Sequence, residues 1–334
     1  MLATRTPLRV TLGGGGTDLE SYYRRDGGFI FALSLNKYIQ ISATRPAFDP
    51  KIVLHGPEPE VTDHADQVRH DLVRAALLSH DIVDRFEAAS IGDIAGGTGL
   101  GSSSCFLVGL LRLLHAMKGQ SPDRQTLAEE ACKLEIDTLG RGIGKQDQYM
   151  AAFGGLTTLD IAPDGAVSVA EVRIAPDVEQ AFVAHTHIYY TGLRRDASGI
   201  LDDQNSAMKG ASQDRQATVG DSLDAIKDLG FRIRDAWVRG DLEGWGQMLH
   251  EHWLSKKRMS QKISWPAIDL LYDHVRSAHG VTGGKIIGAG GGGFLMLFTP
   301  GPGEELEAYM ASQNMPRLHY EIARGGVQLL GQSA

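Results

Sequence analysis

The sequence predicts a mixed α/β protein with two sheets, which we divide into domains 1–183 and 184–334. Its 334 residues are 42% hydrophobic, which is enough apolar material for two domain cores. Strand-like and helix-like stretches are mixed along the chain, as expected when helices pack on sheets. Two glycine-rich stretches, at residues 96–104 and 288–293, separate these elements. The predicted domain boundary lies near Ala184.

The predicted strands share short runs of apolar and β-branched residues. They lie at residues 7–12, 29–43 (as a pair), 156–161, 167–174, 181–191, 285–287 and 294–298. The predicted helices share apolar residues at helical spacing. They span residues 66–79, 103–117, 121–139, 206–239, 242–259 and 266–279. In the third of these helices, Ser121 is the expected cap and Pro122 the first helical residue.

Composition argues against several classes of protein. The formal net charge is −8, which disfavours general binding to nucleic acids or to anionic membranes. No charged leader with an apolar core begins the sequence, and no run approaches the roughly 20 apolar residues of a membrane helix. Cys105 and Cys132 fall in predicted helices, so we expect core packing rather than a disulfide framework or a zinc site. These features predict a cytoplasmic protein and leave its oligomeric state open, a homodimer included.

The first glycine-rich stretch runs directly into a predicted helix. Glycines let backbone N–H groups approach an anion closely, and a helix start adds unpaired donors and the positive end of its dipole. Three consecutive serines exceed what one cap needs, which leaves hydroxyls for a phosphate or a metal ion. No Gly-Lys-Ser/Thr follows, so this is not a Walker A motif. We predict a nucleoside triphosphate site formed by Gly97, Thr98, Gly99, Leu100, Gly101, Ser102, Ser103 and Ser104.

The second glycine-rich stretch formally satisfies the G-x-G-x-x-G pattern of dinucleotide-binding enzymes. That fingerprint requires a helix directly after the glycines and an acidic residue about 20 positions further on. Residues 294–298 instead resemble a strand, so the glycines are predicted to join two strands. The pattern therefore does not favour an oxidoreductase.

Three motifs of the sequence resemble, in order, those of the GHMP small-molecule kinases. They are residues 5–18, residues 96–104 and residues 284–294. The second departs from the family pattern because Ala95 and Gly96 stand where a proline is common. Residues 14–23, 145–149, 151–155, 190–192 and 253–257 are similar to the D-glycero-D-manno-heptose 7-phosphate kinases, whereas the galactokinase hallmark Gly-Glu-His-Thr-Asp-Tyr is absent. The resemblance implies a ribosomal-S5-domain-2-like N-terminal domain and a ferredoxin-like C-terminal domain.

The resemblance also implies an ATP- and Mg²⁺-dependent phosphoryl transfer. Asp147 corresponds to the catalytic base, although an aspartate in a glycine-rich loop commonly forms only an Asx-turn. Arg9 corresponds to a basic residue that stabilises charge near the base, although a strand arginine ordinarily faces solvent. Ser103 and Glu135 correspond to the Mg²⁺ ligands, and for Glu135 the alternative is a solvated helix residue.

For the acceptor, the resemblance implies a sugar phosphate. It assigns Asp18 to sugar hydroxyls, with Thr17 assisting, and the predicted substrate-binding set also includes Gly16, Gly290 and Gly291. A phosphorylated sugar needs a second anion site, for which the candidates are the pair Arg194 and Arg195 and the cluster that contains Lys256. The expected reaction is phosphorylation of the anomeric hydroxyl of heptose 7-phosphate. Two alternatives stay open, a fucose- or galactose-type kinase and a non-catalytic nucleotide-binding regulator.

Overall fold

The computed structural model describes residues 1–193, 198–210 and 212–331. Their strands form an eight-stranded sheet and a four-stranded sheet, which confirms the predicted mixed α/β fold with two sheets. In chain order the strands are β1 (Leu2–Gly13), β2 (Gly28–Thr44), β3 (Ile52–His55), β4 (Glu60–Thr62), β5 (Phe86–Gly92), β6 (Leu156–Ile161), β7 (Val167–Glu171), β8 (Thr186–Tyr190), β9 (Gly283–Ile286), β10 (Phe294–Phe298), β11 (Arg317–Leu318) and β12 (Gln328–Leu330). The smaller sheet has the order β11-β8-β10-β9.

Helices pack against both sheets. They are α1 (Glu20–Asp26), α2 (Asp71–Ser79), α3 (Ser102–Met117), α4 (Arg124–Cys132), α5 (Gln146–Phe153), α6 (Pro176–His185), α7 (Ser198–Met208), α8 (Gln213–Arg239), α9 (Leu242–Met259), α10 (Pro266–Ala278) and α11 (Glu304–Ser312). A 3₁₀ turn at Ala65–Gln67 precedes α2, and a π-helical segment at Lys133–Thr138 continues α4. Within the described part of the chain, no helix combines the length and the apolar character that a bilayer span requires.

Two predicted strand regions differ from the structure. Residues 29–43 form one long strand rather than a pair, because β2 pairs with β6 along its first half and with β5 along its second half. Residues 176–185 form α6, although we predicted residues 181–185, half of that range, to belong to a strand. Proline at the first helical position and the acidic side chains of Asp177 and Glu179 in the first turn favour that helix.

Three predicted helices are divided or shortened. Ser121 does not cap the third one, because Asp123 accepts a hydrogen bond from the Thr126 backbone N–H at 2.7 Å and α4 begins one residue later. The long prediction at 206–239 covers the end of α7 and all of α8, which starts after the Ser212 cap. The helix predicted from residue 66 begins at Asp71.

The cores confirm the predicted packing roles of the cysteines. Cys105 and Cys132 are both buried, on α3 and α4 respectively. Leu107, Leu111 and Leu114 of α3 are fully buried in the larger core, each stabilising the fold by about 1.5–3 kcal/mol. A second core lies around the smaller sheet. Strand β12 pairs with β1, so the end of the described chain returns to the larger sheet, and the division at residue 184 stays a prediction.

Candidate active site

A cavity of about 480 Å³ opens beside the start of α3, and it brings together most of the predicted site residues. Strand β1 contributes to its floor, the N-terminal end of α5 to one wall and α9 to another. The predicted residues that line it are Arg9, Gly16, Asp18, Gly97, Gly99, Gly101, Ser102, Ser103, Ser104, Glu135, Asp147 and Lys256. Residues distant in sequence therefore share one concave site.

Arg9 and Asp147 form a two-pronged ion pair in this cavity. The Arg9 Nε donates to Asp147 Oδ1 at 2.6 Å and its Nη2 donates to Oδ2 at 2.7 Å. Arg9 is buried, so the solvent-facing alternative is wrong. Burial lowers the pKa of Arg9, but the charge and hydrogen bonds of Asp147 outweigh it and the pKa is raised. Asp147 lies in the first turn of α5 rather than in the glycine-flanked loop that we predicted.

The first glycine-rich stretch is tied to the same arginine. Arg9 Nη1 donates to the Gly99 carbonyl at 2.6 Å, and the Arg9 backbone N–H donates to the Leu100 carbonyl at 3.1 Å. Gly101 precedes α3 in the left-handed region, with φ of 78°, which turns the loop into the helix start. The Ser102 hydroxyl is buried and has no hydrogen-bond partner among the described residues. An unpaired hydroxyl at a helix N-terminus fits a phosphate oxygen.

Two predicted residues of this loop support it instead of lining the cavity. The Leu100 side chain is fully buried in the larger core. The Thr98 hydroxyl donates to the Ala95 carbonyl at 3.0 Å, within the loop itself. The glycines and serines therefore provide the cavity surface, while these two side chains hold the loop in place.

Glu135 is fully buried in the π-helical segment, so the solvated alternative is wrong. π-Helical turns occur frequently at functional sites, and this one turns the carboxylate towards α3. Ser104 Oγ and Gln148 Nε2 each donate to Glu135 Oε2 at 2.6 Å. Arg141 Nη1 donates to Oε1 at 3.1 Å. Burial raises the pKa of Glu135, against the opposing effects of these three partners.

The donor set beside Glu135 fits a hard divalent cation. Ser103 Oγ lies 3.5 Å from Glu135 Oε1, which places a hydroxyl and a carboxylate oxygen together. Arg141 Nη1 bridges them, at 2.8 Å from Ser103 Oγ and 3.1 Å from Glu135 Oε1. Its Nη2 is already held by the Asp71 carboxylate at 2.9 and 3.0 Å. If Mg²⁺ bound at Ser103 and Glu135, Arg141 Nη1 would have to move away from both oxygens. The hydrogen bonds from Arg141 Nη2 to Asp71 could remain.

Asp18 lines the same cavity as Asp147 and is buried. Its carboxylate accepts from the Gly16 N–H at 3.2 Å and from the Gln146 N–H at 3.0 Å. Burial raises the pKa of Asp18, and the Asp147 charge adds to this effect. Thr17 faces away from the cavity, since its hydroxyl bonds to the Gly14 and Phe29 carbonyls and to the Phe29 N–H. Thr17 therefore shapes the loop that presents Asp18.

Two buried lysines lie at the wall formed by α9 and β9. Lys256 Nζ donates to the Ile286 carbonyl at 2.9 Å and to the Gly288 carbonyl. Burial, with the Arg9 charge nearby, lowers the pKa of Lys256 to about 7. Lys285 Nζ donates to the Leu12 carbonyl at 2.8 Å and lies 3.4 Å from His252 Nε2. Lys256, Lys285 and His252 all line the cavity.

The remaining predicted substrate residues are not among the described residues that line the cavity. Arg194 and Arg195 fall outside the described residues. Gly290 and Gly291 pack against Ile263, with the Gly291 N–H donating to the Ile263 carbonyl at 2.9 Å, and they do not line the cavity. Gly288 and Ala289 of the same stretch do line it.

Comparison with known proteins decides the family. Residues 70–155 match the GHMP kinases N terminal domain and residues 233–316 match the GHMP kinases C terminal domain, and together these ranges span half of the chain. The chain belongs to the GHMP kinase family. The predicted two-domain GHMP kinase fold and the prediction of a kinase are thereby confirmed.

Relatives of this GHMP kinase include enzymes with different named substrates. D-glycero-alpha-D-manno-heptose 7-phosphate kinase of Campylobacter jejuni is 27% identical over 309 residues, which cover 89% of each chain. L-fucokinase/L-fucose-1-P guanylyltransferase of Bacteroides fragilis is 26% identical over 334 residues, which cover 89% of this chain and 34% of that protein. A D-glycero-D-manno-heptose 1-phosphate kinase from Bacteroides thetaiotaomicron shares the fold, with a TM-score of 0.79, 20% identity and 100% coverage of both chains.

The structure of this GHMP kinase adds site residues that we did not predict. Arg141 and Gln148 hold Glu135, and Thr11 Oγ1 donates to Gln146 Oε1 at 2.6 Å beside Asp147. The two glutamines flank Asp147 within a matched motif, so the sequence carried a signal for them. Arg141 stands between glycines without any such signal, because its partners come from distant segments.

Proposed function

We propose that this GHMP kinase transfers the γ-phosphoryl group of ATP to the anomeric hydroxyl of a sugar phosphate, with D-glycero-D-manno-heptose 7-phosphate as the acceptor and the 1,7-bisphosphate as the product. The observation that carries the proposal is the arrangement around Asp147. An anion-binding loop, a candidate cation site and a buried carboxylate for hydroxyl recognition all line the cavity that Asp147 lines.

The donor side of the proposal is supported by the loop and the start of α3. Phosphoryl transfer relies on positioning and on charge neutralisation more than on covalent catalysis. Backbone N–H groups and the unpaired Ser102 hydroxyl are available for the phosphate tail. Ser103 and Glu135 would hold Mg²⁺, which would screen the charge of the phosphates. The Arg9 guanidinium donates hydrogen bonds both to the Gly99 carbonyl and to the Asp147 carboxylate. The positions of the glycine-rich loop and of the proposed base therefore depend on one side chain.

The acceptor side is supported by two carboxylates with different environments. Asp147 is ion-paired with Arg9 and partly exposed to the cavity, as a base for the attacking hydroxyl must be. Asp18 is held by two backbone N–H groups, which aim its remaining lone pairs at sugar hydroxyls. An anomeric hydroxyl is more acidic than other sugar hydroxyls, so a carboxylate base suits it.

Gly144 tests the role of Asp18, because a Cβ on residue 144 would overlap the Asp18 carboxylate. We expect Gly144→Ala to displace Asp18 and to raise the KM of the acceptor by about tenfold, the loss of roughly one charged hydrogen bond, while the KM of ATP stays unchanged. Steady-state kinetics with each substrate varied in turn measures this. Gly301→Ala is the control, since a Cβ there meets no atom within 4 Å. An equal change in both KM values would contradict the assignment.

Lys256 is our candidate for the phosphate of the acceptor. Since the pKa of Lys256 is lowered to about 7, its ammonium is charged below that pH and loses its charge as the pH rises through it. We expect the KM of a sugar phosphate to increase above pH 7, by at most about tenfold per pH unit, beyond any increase for the unphosphorylated sugar. Lys256→Met should remove this difference. Lys257→Met, which removes the neighbouring lysine paired with Asp269, should retain it.

The proposed reaction is tested directly by an acceptor panel. The protein is incubated with ATP, Mg²⁺ and sugars with or without a phosphate, and the release of ADP is followed. We expect the highest kcat/KM with heptose 7-phosphate, and a new anomeric phosphate in the ³¹P spectrum of the product. ATP binding without ADP release from any acceptor would instead support a nucleotide-binding regulator.

A second candidate is a kinase for an unphosphorylated sugar. The similarity to the fucokinase of Bacteroides fragilis over 89% of this chain favours it. The panel separates the two, because such an enzyme would prefer fucose or galactose over any sugar phosphate. Lys256 would then have no acceptor phosphate to bind, and Lys256→Met would leave the preference unchanged.

A further inference from the structure

Three side chains with nitrogen and oxygen donors converge at a place remote from the active-site cavity. His80 directly follows α2, His115 lies in the last turn of α3 and Glu130 lies on α4. The donor atoms of the three all lie within 4.8 Å of one another. His115 lies thirteen positions after Ser102 on α3, so about 20 Å of helix lies between this cluster and the phosphate-binding loop.

Both imidazoles point the same ring nitrogen at one carboxylate. His80 Nε2 lies 3.0 Å from Glu130 Oε1, and His115 Nε2 lies 2.7 Å from Glu130 Oε2. The two rings are nearly perpendicular, at 85°, with centroids 4.6 Å apart. A small inward adjustment of three side chains would surround one ion, with a face left open for water.

In His115, the hydrogen bond at Nδ1, the ring nitrogen that faces away from Glu130, determines whether Nε2 has a free lone pair. Nδ1 lies 2.8 Å from Gln120 Oε1, and with the Gln120 amide in this orientation Nδ1 carries the proton. In a neutral ring Nε2 then presents a lone pair to the Glu130 carboxylate. A metal ion between these two groups would be bound by the Nε2 lone pair and by the carboxylate together. A histidine that binds metal commonly has this outer hydrogen bond, which orients the ring.

We propose that His80, His115 and Glu130 form a site for a zinc-class divalent metal ion, with three protein ligands and an open position for water. Two imidazole nitrogens and one carboxylate are a donor set that zinc uses, whereas Mg²⁺ prefers oxygen ligands alone. The His80 side chain is 4% exposed and the Glu130 side chain 25% exposed, so the site is enclosed but accessible from one side. The ion would join the ends of α2 and α3 to α4, the helix that leads to Glu135. Binding requires a lone pair at Nε2 of each histidine, so any proton held there in the metal-free protein is released to solvent.

The test uses the full-length protein, stripped with a chelator and then supplied with one equivalent of Zn²⁺ or Co²⁺. We expect one zinc ion per chain to remain after gel filtration, a higher Tm, and the visible absorption of Co²⁺ in a low-coordinate site. Glu130→Gln should weaken zinc binding by more than about 100-fold. Gln120→Leu, which removes only the outer hydrogen bond, should weaken it by about 10–100-fold.

Two control variants locate the ion. His55→Gln removes one member of an exposed His–Glu pair with a similar 2.9 Å contact, and it should keep the zinc. Glu135→Gln removes the carboxylate at the active site, and this variant should also retain the zinc ion. Failure of the unmodified protein to retain zinc, together with no Co²⁺ absorption, would show that the three side chains form only a hydrogen-bonded network and would overturn the proposal. Retention by Glu130→Gln, or loss in Glu135→Gln, would also overturn it.

Discussion

Asp147→Asn is expected to lower kcat by about 10²–10⁴-fold, the usual contribution of a general base, while nucleotide binding stays nearly intact. Asparagine retains the size of the side chain but cannot take a proton from the acceptor. Its amide nitrogen would also face an Arg9 donor where Oδ1 or Oδ2 now accepts. Turnover is measured under saturating substrates, and ATP affinity is measured separately by calorimetry. A kcat equal to that of the unmodified enzyme would remove Asp147 from the mechanism.

The same substitution has a structural effect that must be separated from the chemical one. Arg9 is buried, and breaking a buried ion pair costs about 3–5 kcal/mol because one charge is left without its partner. Combining Asp147→Asn with Arg9→Met removes the unpaired charge, so we expect recovery of Tm without recovery of kcat. Recovery of both would indicate that Asp147 acts only through folding. Asp137→Asn, at an exposed carboxylate nearby, is the control and should change neither quantity.

The elements that the sequence predicted well are those with a strong local pattern. Helix α3 has apolar residues at helical spacing after a glycine-rich start, and its predicted and observed bounds differ by one residue. Strand β10 begins and ends where predicted, because five apolar residues follow the glycines. In both cases the local sequence is sufficient to predict the type and the bounds of the element, and the tertiary fold agrees with that local preference.

Elements that depend on partners were predicted less well. Residues 181–185 have apolar side chains compatible with a strand, but they belong to a helix that starts earlier, at Pro176. The π-helical segment depends on one additional residue per turn, which no local pattern revealed. Apolar spacing describes which face is buried, and it does not show how many residues a turn contains.

The candidate site shows the same division. Motif matches located Arg9, Asp18 and Asp147, and the structure places all three in one cavity. Burial was harder to predict, since Lys256 and Glu135 are charged residues, a type that is seldom fully buried unless it is paired. Arg141 was missed because its partners Asp71 and Ser103 lie about 40 to 70 positions away in sequence. A charge network assembled from distant segments leaves no periodic signal in any one of them.

Glu135→Gln is the prediction that tests the cation site. Glutamine keeps the size of the side chain and can still accept one hydrogen bond, but it removes the charge that would bind Mg²⁺ beside Ser103. We expect the Mg²⁺ concentration for half-maximal rate to increase by about 10–100-fold, and kcat at saturating Mg²⁺ to fall by a smaller factor. The rate measured against free Mg²⁺ at constant ATP gives both quantities.

A purely structural role for Glu135 predicts a different result. The carboxylate also anchors Arg141, so its loss could disturb the fold without involving any metal ion. In that case kcat and Tm would fall together and the Mg²⁺ dependence would stay the same. Arg141→Met provides the contrast, because it removes the cation that now bridges Ser103 and Glu135 and leaves the carboxylate. Since a competing positive charge is lost, we expect Arg141→Met to lower the Mg²⁺ requirement, opposite in sign to the effect of Glu135→Gln.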